Sequence, residues 1–368
     1  MAKLDRLPRF LLLVASVACL TLGLLAGIQR LGWQWGFVEP ALAVSHGPLM
    51  ICGFLGTLIS LERAVALGLW QSYAAPLLTA AGMVGLIAGT LIRQSIFVIA
   101  LGSLALVFLF AAVLLKQFAF HTVVMSLGAG AWLAGNAMWF VGAGIPQIAP
   151  WWIGFLVLTI AGERLELNRL LAPSRHSKLA SAAAIGLFAT GLVCGCFSPT
   201  PGRRIVGFGM LALAAWLARF DVARFTVWRP GLPRFVALCL FAGYAWLGVG
   251  GLVWMLAAPI DATGSFSFFA YDAALHTVFL GFVFSMIFAH APIVFPAVSG
   301  RALPFRHAFY GHVLLLHLSL IARVAGDSVG SLSLLKWAGL GNVIALVLFL
   351  ANNVCSMLRR YREVDAAR

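Results

Sequence analysis

The chain has 368 residues, of which 62% are apolar and only 10% are charged, and its mean hydropathy is +1.01. A soluble domain of this size cannot bury so much apolar surface, so the composition excludes a soluble globular protein. The net charge of +14 does not require a nucleic-acid partner, because cations also accumulate against an anionic membrane leaflet.

Windows of about 20 apolar residues predict membrane helices along the whole chain. The twelve predicted spans begin near Phe10, Ala41, Ala74, Ser95, Phe120, Ile148, Leu179, Ile205, Phe235, Phe266, Leu303 and Leu332. With the N-terminus inside, 19 of the 25 Lys and Arg residues lie on the cytoplasmic side, which predicts that both termini are cytoplasmic. The sequence thus predicts an all-α polytopic protein of a bacterial inner membrane, with a single transmembrane domain over residues 1–368.

A short motif recurs on the second, sixth and tenth predicted helices. Its three copies are Gly53-Phe54-Leu55, Gly154-Phe155-Leu156 and Gly281-Phe282-Val283. Nine residues after each Gly comes an ionisable side chain, which is Glu62, Glu163 or His290. Copies spaced four helices apart predict three groups of four helices around a pseudo-threefold axis, and chance recurrence in an apolar chain is the alternative.

Glu62, Glu163 and His290 together offer two carboxylates and an imidazole. This set of ligands suits iron, copper, zinc or manganese, so the three residues are candidate ligands of a metal ion. Arg63 and Arg164 directly follow the two glutamates, so a ring of salt bridges is an alternative. A third interpretation is a proton path from the cytoplasm, since ionisable groups within membrane helices are costly and usually functional.

Two histidines open the second and tenth helices near the outer surface. His46 precedes Gly53 by seven residues and His276 precedes Gly281 by five, so the two imidazoles lie at similar depth. They are candidate axial ligands of one haem. Asp272 lies one turn before His276 and could accept its second ring proton. The alternative for each histidine is a hydrogen bond to a backbone carbonyl at the start of its helix.

The eleventh helix carries His307, His312 and His317 at intervals of five residues. Each step of five rotates the side chain by about 140°, so the three do not share a face. His312 and His317 lie deeper and are candidate metal ligands. The alternative for both is a packed core histidine with hydrogen-bonded ring nitrogens.

Several runs resemble the NnrS family of polytopic membrane proteins. They are Ala274-Leu275-His276-Thr277 with Gly281 and Met286, Ser299-Gly300-Arg301-Ala302-Leu303, and Ile321-Ala322-Arg323-Val324. That family is described as binding haem and copper and as serving the response to nitric oxide. More distantly, the helix plan is similar to the catalytic subunit of haem-copper oxidases and nitric oxide reductases.

The chain also departs from these families. Where NnrS proteins usually have a His-Ala-His-Glu pattern, this sequence has Ser45-His46-Gly47-Pro48, and its sixth and seventh helices lack the oxidases' copper-binding histidines. The resemblance still implies haem b at His46 and His276, a second metal such as copper near His290, and nitric oxide or another diatomic ligand. It also implies a redox partner of unknown kind and allows a haem-dependent oxidoreductase. The competing function is a proton-coupled transporter of small solutes or metals that uses Glu62, Glu163 and His290.

Overall fold

The computed structural model describes residues 6–34, 40–257, 267–299 and 303–366, and within these ranges every regular element is helical. Long helices occur at all twelve predicted positions. They are α1 (Arg6–Arg30), α2 (His46–Pro48, Leu49–Gly56 and Thr57–Leu67), α3 (Ala74–Ile87), α4 (Ile92–Lys116), α5 (Phe120–Phe140), α6 (Ile145–Asn168), α7 (Arg175–Phe197), α8 (Pro199–Phe220), α9 (Leu232–Leu256), α10 (Phe268–His276, Thr277–Val283 and Phe284–Ser299), α11 (Phe309–Val329) and α12 (Leu332–Ala366).

Ten helices of the described ranges are long and apolar enough to cross a membrane, and the chain is an all-α polytopic membrane protein. The two other predicted spans differ for separate reasons. Helix α3 has 14 residues and is therefore about 21 Å long, short of the roughly 30 Å of a bilayer core. Helix α8 is long enough at 22 residues but carries Arg203, Arg204 and Arg219.

Two helices contain π-helical segments, in which each hydrogen bond spans five residues. The segment Leu49–Gly56 follows His46 in α2, and Thr277–Val283 follows His276 in α10. These segments contain the first and third copies of the Gly-Phe motif, whereas the second copy lies in the regular α-helix α6. Because π-helical turns are rare and concentrate at functional sites, their matching positions set α2 and α10 apart from the other helices.

The internal contacts divide the chain into two compact units. Unit 1 comprises residues 1–162 and 297–300, and unit 2 comprises residues 163–296 and 301–368, so the division falls within α6. The pseudo-threefold grouping stays a prediction. The predicted helix start at Phe266 and three residues of the NnrS-like runs, Gly300, Arg301 and Ala302, lie outside the described residues.

Close packing in unit 1 centres on the contact between Trp132 of α5 and Gly56 of α2. A Cβ atom on Gly56 would overlap Cζ2 of the indole and lie 2.8 Å from its Cη2. The indole is fully buried and stacks on Phe155 of α6, with ring centroids 4.8 Å apart. The fully buried, stacked ring has little room to retreat from an added methyl group.

We therefore expect Gly56→Ala to lower the free energy of unfolding by about 1–3 kcal/mol through overpacking. Thermal unfolding in detergent would measure the change. The matched control is Gly130→Ala in α5, where an added Cβ meets no atom within 4 Å. Equal stability of the two variants would contradict the expected role of the contact.

Candidate functional site

The imidazole of His276 is held by a single residue one turn earlier in α10. Its Nδ1 lies 2.9 Å from the backbone oxygen of Asp272 and 3.2 Å from the carboxylate Oδ1 of the same residue. Both oxygens accept hydrogen bonds, so Nδ1 carries the proton and Nε2 keeps the lone pair of the neutral ring. This is the tautomer that binds metals through Nε2.

A buried chain of hydrogen bonds fixes Asp272 in turn. Arg323 of α11 donates from Nε and Nη2 to its two carboxylate oxygens, at 2.7 and 2.8 Å. The Nη1 of Arg323 lies 3.4 Å from Oδ1 of Asn342 in α12, and the amide of Asn342 donates to Ser319 Oγ at 2.7 Å. Three helices of unit 2 therefore orient one imidazole. Sequence alone assigned Arg323 no role beyond its place in an NnrS-like run.

A second carboxylate, Asp327, lies one turn after Arg323 and is also buried. It interacts electrostatically with both Asp272 and Arg323, and within the described ranges neither of its oxygens accepts a hydrogen bond. One guanidinium thus faces two carboxylates at this end of unit 2.

The imidazole of His46 in unit 1 is also held by a backbone oxygen. Its Nδ1 lies 2.7 Å from the backbone oxygen of Gly23 in α1, so its Nε2 keeps the lone pair as well. A Cβ on Gly27 would lie 2.9 Å from Cε1 of the ring, so the glycine makes room for the imidazole. Both candidate haem ligands therefore make the carbonyl bond that was the alternative to ligation. The two roles are compatible, because they use different ring nitrogens.

A second buried ion pair lies at the other end of unit 2. Arg164 of α6 donates from Nε and Nη2 to Asp221, just after α8, at 2.8 and 2.7 Å. Asp221 also accepts from the backbone nitrogen of Ala223 at 2.8 Å, which starts a short helical turn. The fully buried Tyr244 of α9 and the neighbouring Glu163 interact electrostatically with Arg164. Arg164, which follows Glu163 in the sequence, therefore pairs with Asp221. Sequence analysis did not identify Asp221.

His290 of α10 belongs to the same group. Its Nδ1 lies 2.8 Å from the backbone oxygen of Met286, and the ring interacts electrostatically with Glu163 and Arg164. The structure thus brings together two of the three residues predicted from the repeat, while Glu62 belongs to unit 1. Within the described part of the chain, no three His, Cys, Asp or Glu side chains are grouped as metal ligands. The second metal stays a prediction.

Comparison with known proteins gives one result. A family model described as a domain of unknown function, DUF8744, matches residues 9–358, which is nearly the whole chain. The chain belongs to this family. No curated protein and no solved structure matches it. The resemblance to NnrS proteins therefore stays a prediction.

In this DUF8744 protein, His312 and His317 have the tautomer opposite to that of His46 and His276. The indole Nε1 of Trp246 lies 3.1 Å from Nδ1 of His317, and an indole can only donate. The amide nitrogen of Asn352 lies 3.1 Å from Nδ1 of His312 and 3.3 Å from the backbone oxygen of Ala308. In both rings Nδ1 accepts, so the neutral imidazole carries its proton on Nε2 and offers no lone pair to a metal.

The surroundings of His312 agree with this assignment. The ring is buried, and its centroid lies 4.7 Å from that of Phe288 and 5.3 Å from that of Phe349. The ring is packed as in a core histidine, but within the described residues its Nε2 has no hydrogen-bond partner, so metal binding by His312 stays a prediction. The hydrogen-bond partner of Nδ1 separates His312 and His317 from His46, His276 and His290. For His312 and His317 that partner is a side chain distant in sequence, which spacing alone could not identify.

Proposed function

We propose that this protein binds haem b in a bacterial inner membrane and uses it to bind nitric oxide or to transfer electrons, as the NnrS resemblance implies. The observation that supports this most directly is the imidazole of His276. Its Nδ1–H is held by a buried acid, its Nε2 keeps the lone pair, and a π-helical segment follows it.

The residues around His276 fit an imidazole that would hold haem iron through Nε2. A carboxylate that accepts the Nδ1 proton is the usual support for a metal-bound imidazole, because it fixes the ring and raises the basicity of Nε2. Arg323 and Asn342 keep Asp272 in place for this task. When bound, the haem iron would supply the redox chemistry and the site for a diatomic ligand.

His46 supports the proposal from unit 1. It too has its Nδ1 on a backbone carbonyl, and it too precedes a π-helical segment that contains a Gly-Phe motif. Two histidines built alike, each at the start of such a segment, would each offer Nε2 to a haem iron.

The reduced-minus-oxidised visible spectrum of the purified protein tests the proposal. We expect a b-type spectrum in the wild type and its loss, or conversion to a five-coordinate form, in His276→Ala and in His46→Ala. The matched control is His317→Gln, which changes a histidine of the opposite tautomer and should keep the spectrum. A colourless protein from haem-rich cells, or an unchanged spectrum in His276→Ala, would contradict the proposal.

A transporter is the second candidate, and the grouping of Glu163, His290 and Arg164 in unit 2 favours it. Buried ionisable groups of this kind mark substrate or proton sites in membrane carriers. Comparing Glu163→Gln with His46→Ala separates the two functions. For a transporter, Glu163→Gln would abolish uptake into proteoliposomes, whereas His46→Ala would leave uptake intact.

A further inference from the structure

Three helices of unit 1 meet along a line of small and polar residues. Helix α5 contributes Gly128, Trp132 and Asn136 at steps of four, α2 contributes Cys52, Gly56 and Ser60 at the same step, and α6 contributes Trp152, Phe155 and Thr159. Residues four apart lie on one face of a regular α-helix, so α5 presents one continuous row. Cys52 and Gly56 lie in the π-helical segment of α2, and their contacts with Asn136 and Trp132 place them against this row. We call the four side chains Asn136, Trp132, Thr159 and Ser60 the polar column.

The first member, Asn136, has a defined amide orientation. Its Oδ1 accepts from Nε1 of Trp152 at 3.0 Å and lies 3.5 Å from Sγ of Cys52. Because an indole only donates, the oxygen must face Trp152, and the amide nitrogen must point away from it. That nitrogen is fully buried and has no hydrogen-bond partner within the described residues.

The second member, Trp132, lies one turn along α5. Stacking on Phe155 and the contact with Gly56 hold its indole in a single position. Its Nε1–H is fully buried, and the described part of the chain provides no oxygen or nitrogen acceptor for it. The thiol of Cys52 interacts with the indole, but its sulfur is only a weak acceptor. The fixed ring prevents this donor from turning toward a stronger partner.

Two hydroxyl groups continue the polar column. A Cβ on Gly128 would lie 2.9 Å from Oγ1 of Thr159, so this hydroxyl lies against α5 one turn beyond Trp132. Ser60 lies one turn beyond Gly56 on α2. Both hydroxyls are at most 2% exposed, and in the ranges that the structure describes neither has a hydrogen-bond partner. Elsewhere in unit 1, by contrast, Thr79 donates to the carbonyl one turn earlier at 2.9 Å.

Four such groups in one line need an explanation, because buried polar atoms of native proteins are nearly always hydrogen-bonded to protein or to ordered water. Lipid offers no partners in the membrane interior. Successive turns of a helix are about 5.4 Å apart, which two hydrogen bonds of about 2.8 Å can bridge through a single water molecule. Each water would then find the two to four polar partners that buried water requires.

We propose that the polar column binds a file of water molecules, about one for each helical turn between Asn136 and Ser60. The amide of Asn136 and the indole of Trp132 donate to this water, and the hydroxyls of Thr159 and Ser60 both donate and accept. The site lies within unit 1 and does not depend on haem.

The variants Ser60→Ala and Thr159→Val test the proposal through the sign of their effect on stability. Both remove the hydroxyl group and leave the rest of the side chain's shape nearly unchanged. If the column is dry, removing a buried unpaired group leaves the thermal midpoint unchanged or raises it. If water is bound, each variant leaves that water without a partner, and we expect the midpoint in lipid nanodiscs to fall by about 2–4 °C.

The double variant and a control sharpen the result. Ser60→Ala and Thr159→Val should be non-additive, because they share bound water, whereas Thr159→Val and Thr79→Val should be additive. Midpoints at or above the wild-type value in both single variants would overturn the proposal. If either single variant does not fold, a cryo-EM map of the wild type decides instead. Density within hydrogen-bond distance of Asn136 Nδ2 and Trp132 Nε1 supports the water file, and an ordered site without density overturns it.

Discussion

The variant Arg323→Leu is expected to lower the free energy of unfolding by about 3–5 kcal/mol, because it leaves a buried carboxylate without its counter-ion. Asp272 would lose two hydrogen bonds of 2.7 and 2.8 Å, and Asp327 would lose a cation with which it interacts electrostatically. Titration with a denaturing detergent, followed by circular dichroism, would measure the loss.

The second variant for this test is Arg323→Leu combined with Asp272→Leu. Removing both partners leaves no isolated charge at position 272, so the double variant should recover the stability that the unpaired Asp272 costs, while Asp327 still lacks its cation. Asp327→Asn alone should cost little, since within the described residues Arg323 donates its hydrogen bonds to Asp272 and Asn342 and not to Asp327. A double variant as unstable as Arg323→Leu would contradict the assigned role of the ion pair.

The variant Arg164→Leu is expected to lower the free energy of unfolding by a similar amount, about 3–5 kcal/mol, because it too leaves a buried carboxylate without its counter-ion. Asp221 is fully buried, and Arg164 supplies two of its hydrogen bonds. The bond from the backbone of Ala223 would remain but cannot neutralise the carboxylate. The same unfolding experiment would measure the change.

Arg169→Leu is the matched control for Arg164→Leu. It removes an arginine five residues further along, whose side chain is 57% exposed and lies 4.0 Å from Glu166. Exposed ion pairs contribute about 0–1 kcal/mol, so this variant should be nearly as stable as the wild type. Similar losses in the two variants would mean that burial of the Arg164 pair is not what makes it important.

The helices of this protein could be predicted from sequence because hydropathy alone determines them. A window of apolar residues is sufficient to locate a membrane helix, and helices occur at all twelve expected positions. The number of helices able to cross a membrane is ten rather than the predicted twelve within the described residues, since α3 has only 14 residues and α8 contains three arginines. The π-helical segments had no signature in hydropathy, although two copies of the Gly-Phe motif coincide with them.

The candidate site could be predicted only where its contacts are local. Asp272 and His276 are four residues apart, so helical geometry alone places them together. Arg323 lies 51 residues from Asp272, and Trp246 lies 71 residues from His317, so no periodicity connects them. The tautomers of His312 and His317 depend on such distant partners, whereas those of His276 and His290 depend on a carbonyl one turn earlier. Spacing therefore could not distinguish the two groups of histidines.

The π-helical segment of α2 also changes how positions along this helix relate to each other. Each residue of an α-helix turns the chain by about 100°, and the wider π turn accommodates an extra residue without disturbing the regular helix on either side. The stretch before Leu49–Gly56 and the stretch after it are therefore phased separately. His46 and Glu62 can face directions that no single helical wheel relates, and an inserted or deleted residue within the segment would turn one end of α2 relative to the other.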